Sequence, residues 1–277
     1  MTDTLPASTL AVARTFLFVP GSRPERFEKA AAAGADVIVI DLEDAVSPAD
    51  KDSARDNVAT WLADGNTAVV RVNADDTPWH TDDVAMLRQY HAAAMPAKSA
   101  DADSVAALAD TTGAPVIPLI ETARGIRAAY EISDIPGAVR VAFGAIDFAA
   151  ELGIDPNDRE ALLLARSTLV LAAAAAGIAA PIDGVTTALR EPDVLADDVR
   201  YAVRIGMTGK LCIHPAQVTG VHDCLAPSAE DVEWAQRVLA ADDGSGNAIA
   251  VDGHMIDAPV LIRARRILAT AARSAAP

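Results

Sequence analysis

Short apolar runs alternate along the chain with longer segments of helical character. Runs such as 15–19, 37–40 and 68–70 consist almost entirely of Val, Ile, Leu, Phe and Ala. Continuous apolar runs of this length are typical of strands buried on both faces of a parallel sheet. Gly and Pro follow most of the runs, and the intervening segments carry residues typical of helix starts and ends. The pattern therefore predicts a regular alternation of strands and helices.

Eight strand–helix units occur in this pattern before about residue 226. We predict strands at 15–19, 37–44, 68–73, 93–98, 116–121, 141–147, 181–186 and 209–214, each followed by a helix. No linker, repeat or low-complexity segment divides the units. The expected α/β fold is a single (β/α)₈ (TIM) barrel over residues 1–226, with residues 1–14 as an unstructured lead.

Residues 227–277 remain outside the complete barrel and are predicted to form a C-terminal extension of helices and a hairpin. A capping-box-like start at Ser228 precedes a helix, residues 248–255 predict a small hairpin, and a basic amphipathic helix is expected over 256–274. An extension of this size caps its own barrel or reaches a neighbouring subunit. We expect it to cap the active site of a neighbour.

Composition and charge narrow the classes of function. Of the 277 residues, 51% are apolar and only 4% aromatic, so a large core of Ala, Val, Leu and Ile is expected. The net charge of −16 argues against a general nucleic-acid-binding protein, because a phosphate backbone needs a basic face. Cys212 and Cys224 lack the spacing of a disulfide framework or a zinc site, which favours the cytoplasm. Residues 1–13 lack a signal-peptide pattern and the apolar run 169–180 is too short to span a bilayer, so no membrane partner is expected.

Charged residues collect at the predicted carboxyl ends of the strands, where barrel enzymes place their active sites. These ends carry Asp41, Glu43, Asp44, Arg71, Lys98, Glu121, Asp147 and His214. Glu121 and Asp147 lie 26 positions apart, which fits the ends of two neighbouring strands. Together they can hold one hard divalent cation, with waters and a substrate completing its coordination as Mg²⁺ prefers. Taken singly, each acid is better explained as a helix cap, and only the whole set of charges favours a metal.

Arg71 lies within an apolar run, where an unpaired charge would be costly. Its planar fork matches a carboxylate, so a metal beside Arg71 suits a 2-oxo acid. Chelation of the keto oxygen polarises the carbonyl and supports aldol-type or Claisen-type carbon–carbon chemistry. A Schiff base on Lys98 is the less favoured alternative, because a dense acid cluster keeps a lysine protonated.

Several of these residues also have a structural explanation. Asp41 and Asp44 can cap helices, Lys98 can pair with a surface acid, and His214 can order the loop before Pro215. The predicted chemistry therefore depends on the set of residues and not on any one of them.

Seven motifs occur in an order that resembles one family of enzymes. They lie at 18–26, 41–46, 71–73, 120–123, 143–148, 209–215 and 253–257. The set resembles the citrate lyase β-subunit-like CoA-ester lyases of the HpcH/HpaI aldolase superfamily, relatives of the malyl-CoA and citramalyl-CoA lyases. The likeness covers nearly the whole chain, and seven motifs in order are a specific signal where any one would be weak.

The resemblance implies a metal site and a substrate clamp. It implies Mg²⁺, or Mn²⁺ in its place, held by Glu121 and Asp147, with Arg71 on the carboxylate or carbonyl of the substrate and acidic support from the segment 41–44. Two departures from the family pattern, Ile146 and the segment 95–100, lie beside the substrate and leave its acyl group open.

The resemblance also implies sites for CoA and for a neighbouring subunit. Arg23, Arg26 and Lys29 are taken as a basic, helix-N-terminal site for the CoA phosphates. Asp257 matches an acid–base residue that related lyases supply from the tail of a neighbour, so a homo-oligomer is expected, either a trimer or a hexamer. The candidate site residues are therefore Arg71, Asp257 and Asp44 for catalysis; Arg71, Glu121, Arg23, Arg26, Lys29 and Lys98 for substrate binding; and Glu121 and Asp147 for the metal.

The expected activity is a magnesium-dependent cleavage of a 3-hydroxy-3-carboxyacyl-CoA into acetyl-CoA, or a homologue, and a 2-oxo acid. A thioesterase acting on the same esters is one alternative. A divalent-metal aldolase acting on free oxo acids is another, although Ala45 stands where such aldolases commonly have a histidine. A non-catalytic component that needs a partner subunit, as in a citrate lyase complex, is the third.

Overall fold

The computed structural model describes residues 4–242, 249–251 and 254–274. The chain divides into two compact units, Met1–Val221 and His222–Pro277. No helix in the described ranges is long and apolar enough to cross a membrane.

The larger unit contains eight short strands with helices before, between and after them; the last of these helices, at 216–225, continues past Val221 into the smaller unit. The strands are β1 (Thr15–Pro20), β2 (Val37–Asp41), β3 (Val69–Val72), β4 (Ala93–Pro96), β5 (Leu119–Ile120), β6 (Ala142–Phe143), β7 (Ile182–Asp183) and β8 (Gly209–Cys212). The helices are α1 (Ala7–Val12), α2 (Phe27–Ala31), α3 (Lys51–Ala63), α4 (His80–Tyr90), α5 (Ala102–Thr112), α6 (Ala123–Arg127), α7 (Ala129–Ser133), α8 (Ala145–Leu152), α9 (Arg159–Ala176), α10 (Pro192–Arg204) and α11 (Ala216–Leu225). Short 3₁₀ turns at Pro24–Arg26 and Pro48–Asp50 precede α2 and α3.

The strands form one parallel sheet that closes on itself. Their order is β4-β3-β2-β1-β8-β7-β6-β5, so each strand lies beside its neighbour in the chain. The two ends of this order meet where Ala94 bridges Val116 in parallel, and the Ile117 amide donates to the Ala94 carbonyl at 2.8 Å. The prediction of a (β/α)₈ barrel is confirmed.

Alternation along the strands makes the barrel apolar inside and charged at one end. The buried interior contains Phe16, Val37, Val39, Val69, Ala93, Met95, Ile117, Leu119, Ala142, Ile182 and Leu211. Because side chains alternate between the two faces of a strand, the next inward positions along β2, β3 and β5 are Asp41, Arg71 and Glu121. The strands therefore deliver charge to the carboxyl end of the barrel, as the sequence predicts.

Residues 7–12 form helix α1, so the prediction of an unstructured lead over 1–14 is wrong for this segment; residues 1–3 lie outside the described residues. Helix α1 buries Leu10 completely in the apolar cluster of the barrel. A six-residue helix is not stable alone, and Leu10 is its only buried residue. Tertiary burial holds the helix in place, which is why the periodicity of the sequence does not reveal it.

A buried arginine joins this first segment to the starts of β7 and β8. Arg140 donates through Nη1 to the Ala13 carbonyl at 2.6 Å, and through Nη2 to the Ala180 carbonyl at 2.6 Å and to Thr208 Oγ1 at 3.0 Å. Burial lowers the pKa of Arg140 to about 9. Carbonyl oxygens thus take the place of a carboxylate as its hydrogen-bond partners.

Several predicted elements differ from the structure. Strands β5, β6 and β7 contain two residues each, and Asp147 is the third residue of α8 instead of the end of a strand. The Gly144 amide donates to the Ile120 carbonyl at 3.0 Å, and the chain turns into α8 directly after this bond. The predicted helix from 123 to 133 is divided into α6 and α7.

The smaller unit has a core of its own. It contains α12 (Ala229–Ala241), an antiparallel hairpin of β9 (Ile249–Val251) and β10 (His254–Ile256), and α13 (Ala258–Ser274). Its buried cluster is formed by Ala235, Val238, Ile256 and Ala264. Ser228 Oγ accepts the Asp231 amide at 3.0 Å, which confirms the predicted helix start. The antiparallel pairing of β9 and β10 also confirms the predicted hairpin, of which residues 248, 252 and 253 lie outside the described residues.

The burial of Leu10 makes the first helix a contributor to stability. We expect Leu10→Ala to lower the free energy of unfolding by about 2–5 kcal/mol, because the buried cluster loses a large side chain. Val12→Ala on the same helix, where the side chain is exposed, should change it by less than about 0.5 kcal/mol. Urea unfolding of the two variants checks this. Equal free energies of unfolding in Leu10→Ala and Val12→Ala would contradict a stabilising role for this helix.

Candidate active site

A cluster of charged side chains lies at the carboxyl ends of β2 to β5. We call it the rim cluster and define it as Asp41, Glu43, Asp44, Arg71, Lys98 and Glu121. Its centre is the pair formed by Asp41, which is 1% exposed, and Arg71. The register of the parallel strands β2 and β3 places these two residues side by side. Arg71 Nε and Nη2 donate to the two oxygens of Asp41 at 2.6 and 2.7 Å, which is the bidentate geometry expected of a strong ion pair.

Asp41 also shapes the loop that follows it. One of its oxygens accepts the Glu43 amide at 2.9 Å and the other accepts the Ala45 amide at 3.0 Å. The side chain therefore ties a turn of the backbone as well as binding Arg71. Asp41 therefore stabilises a turn and does not cap a helix, which was the alternative explanation. The turn directs Glu43 towards Arg71.

The other two acids of this loop differ in exposure. The side chain of Glu43 is 6% exposed, lies 3.1 Å from Arg71 Nη1, and binds Lys98 Nζ through its second oxygen. The side chain of Asp44 is 55% exposed and lies 3.9 Å from Arg71 and 3.8 Å from Lys98. Asp44 is thus the acid of the loop that is open to a bound ligand.

Arg71 is a permanent cation at this mouth. Burial works against its charge, but the Asp41 carboxylate, supported by Glu43 and Glu121, outweighs burial and raises the pKa of Arg71. Its guanidinium lies 5.0 Å from the ring centre of Phe18 on β1. The arginine is therefore held by strands β1 and β2 on two sides.

Lys98 connects the loop acids to Glu121. Its φ of 50° lies in the left-handed region, and its amide donates to Glu121 Oε1 at 2.7 Å. Burial lowers the pKa of the amine, but the Glu43 carboxylate more than compensates, so the pKa of Lys98 is raised. A lysine held protonated in this way is a poor nucleophile, which argues against the Schiff-base alternative.

Glu121 is a deeply buried acid of the rim cluster. It is 2% exposed, and burial raises its pKa to about 8; the Lys98 amide and Arg71 oppose this, while Asp147 and Glu43 add to it. A Cβ added at Gly144 would lie 2.4 Å from Glu121 Oε2, so only glycine leaves room for this carboxylate.

The same carboxylate could hold a divalent metal ion together with Asp147, which lies in the first turn after Gly144. Both groups are hard oxygen donors, and burial, which raises the pKa of Glu121, makes a cation beside its carboxylate favourable. No group of three or more metal-binding side chains occurs within the described residues. Two carboxylates with open positions fit Mg²⁺, which keeps several waters and shares its coordination with a substrate.

The predicted CoA residues lie at the turn after β1. Arg23 and Arg26, whose side chains are 58% and 60% exposed, lie 3.8 and 4.0 Å from Glu25, and Lys29 is exposed on α2. This turn is a single 3₁₀ turn followed by the five-residue α2, so the long helix expected to support a phosphate is not formed. A phosphate site here stays a prediction that depends on the charges of the three side chains.

His214 and Asp257 are engaged locally. His214 Nδ1 accepts the Ala216 amide at 3.1 Å, which agrees with its expected role in ordering the loop. Asp257 belongs to the smaller unit, where Oδ1 accepts the Val260 amide at 3.4 Å at the start of α13. Its part in catalysis stays a prediction.

Lys51 is a further charged residue beside the rim cluster, and it is not among the residues predicted from the sequence. Lys51 is 6% exposed and donates to the carbonyls of Leu42 and Glu43 at 2.7 Å each and to Asn73 Oδ1 at 2.6 Å. A signal was present, because Lys51 falls on the same face of α3 as the buried residues Ala54 and Val58.

Comparison with known proteins agrees with this geometry. Residues 14–215 match the model of the HpcH/HpaI aldolase/citrate lyase family, and residues 165–273 match a family described as a carbon–carbon bond lyase of the TIM-barrel fold. A citrate lyase subunit beta-like protein of Mycobacterium tuberculosis is 38% identical over 261 residues, which cover 91% of this chain and 93% of that protein.

A second relative and a solved structure agree with this match. A (3S)-malyl-CoA thioesterase of Cereibacter sphaeroides is 36% identical, with 95% of this chain and 96% of that protein covered. The crystal structure of the M. tuberculosis protein CitE, in complex with magnesium, acetoacetate and coenzyme A, superposes with a TM-score of 0.83 at 37% identity and covers 95% of this chain and 99% of that one. The chain therefore belongs to the HpcH/HpaI aldolase/citrate lyase family.

Proposed function

We propose that the protein is a magnesium-dependent carbon–carbon lyase that cleaves a 3-hydroxy-3-carboxyacyl-CoA into acetyl-CoA, or a homologue, and a 2-oxo acid. One observation carries the proposal: a fixed guanidinium, Arg71, shares the mouth of the barrel with the buried carboxylate of Glu121. Arg71 can bind a carboxylate, and Glu121 can bind a metal ion together with Asp147. A cation and a metal ion are the two groups that bind a 2-oxo acid. The CitE structure with magnesium, acetoacetate and coenzyme A supports the same ligand classes.

Glu121 and Asp147 would hold Mg²⁺, or Mn²⁺ in its place. When bound there, the ion supplies Lewis acidity and polarises the carbonyl that forms as the carbon–carbon bond breaks. The Lys98 amide fixes one oxygen of Glu121, which leaves Oε2 as the freer ligand atom.

Arg71 binds the carboxylate of the substrate. Asp41 occupies Nε and Nη2, so Nη1 and the outer edge of the guanidinium remain for Glu43 and for the substrate. Because Asp41 fixes the plane of this group, little rotational freedom is lost when the substrate binds.

Proton transfers complete the reaction. A base takes the proton of the 3-hydroxyl group, and Asp44 is our candidate because its carboxylate is half-exposed at the mouth. The bond between C2 and C3 breaks, and its electron pair remains on the enolate of acetyl-CoA. Asp257, supplied by the extension of a neighbouring subunit in a trimer or hexamer, donates a proton to C2. Arg23, Arg26 and Lys29 bind the CoA phosphates outside the mouth.

We place this lyase in the cytoplasm. Both cysteines, Cys212 and Cys224, are free thiols in the structure, which fits a reducing compartment.

A thioesterase acting on the same esters is the second candidate. It is favoured by the relative from C. sphaeroides, whose name states that activity, at 36% identity over nearly the whole chain. The same residues could then orient a water molecule towards the thioester carbonyl, and the products would be free CoA and an intact hydroxy acid.

A product assay separates the candidates. We expect purified protein with Mg²⁺ to convert one member of a panel of malyl-, citramalyl- and citryl-CoA into equal amounts of acetyl-CoA and a 2-oxo acid. Free CoA without any 2-oxo acid would replace the lyase by the thioesterase. No turnover of the whole panel would contradict an independent enzyme and favour a component that needs a carrier protein or a partner subunit.

Removal of the metal ligand should abolish activity while the fold persists. Loss of a group that merely supports a metal ligand costs about 10–100-fold, so we expect Glu121→Gln to lower kcat/KM by at least about 100-fold and to weaken Mg²⁺ binding by a similar factor. Glu131→Gln, an exposed acid on α7, is the matched control and should leave both quantities unchanged.

A second variant reaches the same carboxylate without changing it. Gly144→Ala places a Cβ 2.4 Å from Glu121 Oε2, so it should also weaken Mg²⁺ binding. Calorimetric titration with Mg²⁺ measures both variants, and unchanged affinity in Glu121→Gln would remove Glu121 from the metal site.

A further inference from the structure

Lys51 contacts the backbone of the acidic loop, which we define as residues 42–46. It is the first residue of α3, and its ammonium group donates three hydrogen bonds, to the carbonyls of Leu42 and Glu43 and to Asn73 Oδ1. An ammonium group has three donors, so Lys51 is fully satisfied without a side-chain carboxylate. The ring centre of Trp79 lies 5.1 Å from Nζ.

The loop is therefore fixed through both kinds of backbone group. The carboxylate of Asp41 accepts the amides of Glu43 and Ala45, and Lys51 binds the carbonyls of Leu42 and Glu43. With its backbone held on two sides, Glu43 has its side chain directed to the two cations of the rim cluster. A loop in a barrel mouth ordinarily moves more than the strands, and these bonds oppose such movement.

The third partner of Lys51 closes a ring of contacts between α3, β3 and α4. Asn73 follows β3, and its Nδ2 donates to Asp83 on α4 at 2.7 Å. Asp83, which is 1% exposed, accepts from Arg55 Nε at 2.9 Å. Arg55 lies one helical turn after Lys51 on α3, so the ring returns to the helix where it began.

We propose that Lys51 is a positioning residue that fixes Glu43, and through Glu43 sets Arg71 and Lys98 for the 2-oxo acid end of the substrate. Lys51 also binds Asn73, two residues after Arg71, so one ammonium group links the loop that carries Glu43 to the chain that leaves Arg71. The part of this proposal that concerns substrate rests on the proposed function, whereas the part that concerns the loop does not.

Lys51→Met tests both parts, because methionine keeps much of the volume and removes the three donors. Losing hydrogen bonds to a charged group corresponds to a change of about tenfold or more. We expect hydrogen exchange of the amides in 42–46 to accelerate by about that factor, while the Ala142 amide on β6 is unaffected. In the presence of Mg²⁺ the Kd for pyruvate should rise by about tenfold or more, and the Kd for CoA should stay within about twofold.

Lys210→Met is the matched control, since Lys210 is also a buried lysine but binds Asp183 between β7 and β8 at 2.8 Å. It should lower stability without altering exchange in 42–46 or the Kd for pyruvate. If Lys51→Met does not fold, Arg55→Met, which removes the outer link of the ring, should show smaller changes in the same direction.

The outcomes are separable. Unchanged exchange in 42–46 overturns the role of Lys51 in holding the loop, and faster exchange with an unchanged Kd for pyruvate overturns its role in positioning. A wild-type protein that binds neither Mg²⁺ nor pyruvate contradicts the proposed function instead, and the exchange measurement then still decides whether Lys51 holds the loop.

Discussion

The ion pair between Arg71 and Asp41 is the interaction on which the mouth of the barrel depends. The side chain of Arg71 is only 11% exposed, and a buried guanidinium without a carboxylate would cost several kcal/mol, about 3–5 when one partner of such a pair is removed. Asp41 offers both oxygens to Arg71 and, with the same oxygens, accepts two amides of the following loop. One carboxylate thus fixes both the plane of the Arg71 guanidinium and the path of the loop 42–46.

The balance of charge around this pair explains where a metal belongs. Glu43 is matched by Arg71 and Lys98, whereas Glu121 receives one amide and feels the added field of Asp147. Glu121 is nearly completely buried, and this burial raises its pKa to about 8. A cation bound beside Glu121 would stabilise its charged form, whereas Glu43 already has two cations. Glu43 is thus paired with cations, whereas Glu121 remains available for a metal ion. This difference supports the proposed metal-dependent lyase.

Much of this arrangement follows from local pattern in the sequence. Their positions at the predicted carboxyl ends of strands predict that Asp41, Arg71 and Glu121 meet at one end of the barrel, and the structure places them there. Leu10 and the partners of Lys51 could not be found in this way. The period of α3 places Lys51 on the buried face of the helix but does not identify Asn73 as its partner, and no period reports that Leu10 packs against the barrel interior. Asp147 was expected at a strand end, and the short β6 instead places it in the first turn of a helix.

The central claim is that a carbon–carbon bond breaks to give an enolate that is then protonated on carbon. Turnover of the accepted CoA ester in D₂O, followed by mass spectrometry of the CoA product, tests this directly. The lyase predicts acetyl-CoA, or its homologue, carrying one deuterium on the carbon next to the thioester for each 2-oxo acid released. Free CoA together with a hydroxy acid that has gained no carbon-bound deuterium would show that the thioester is hydrolysed and would contradict the claim.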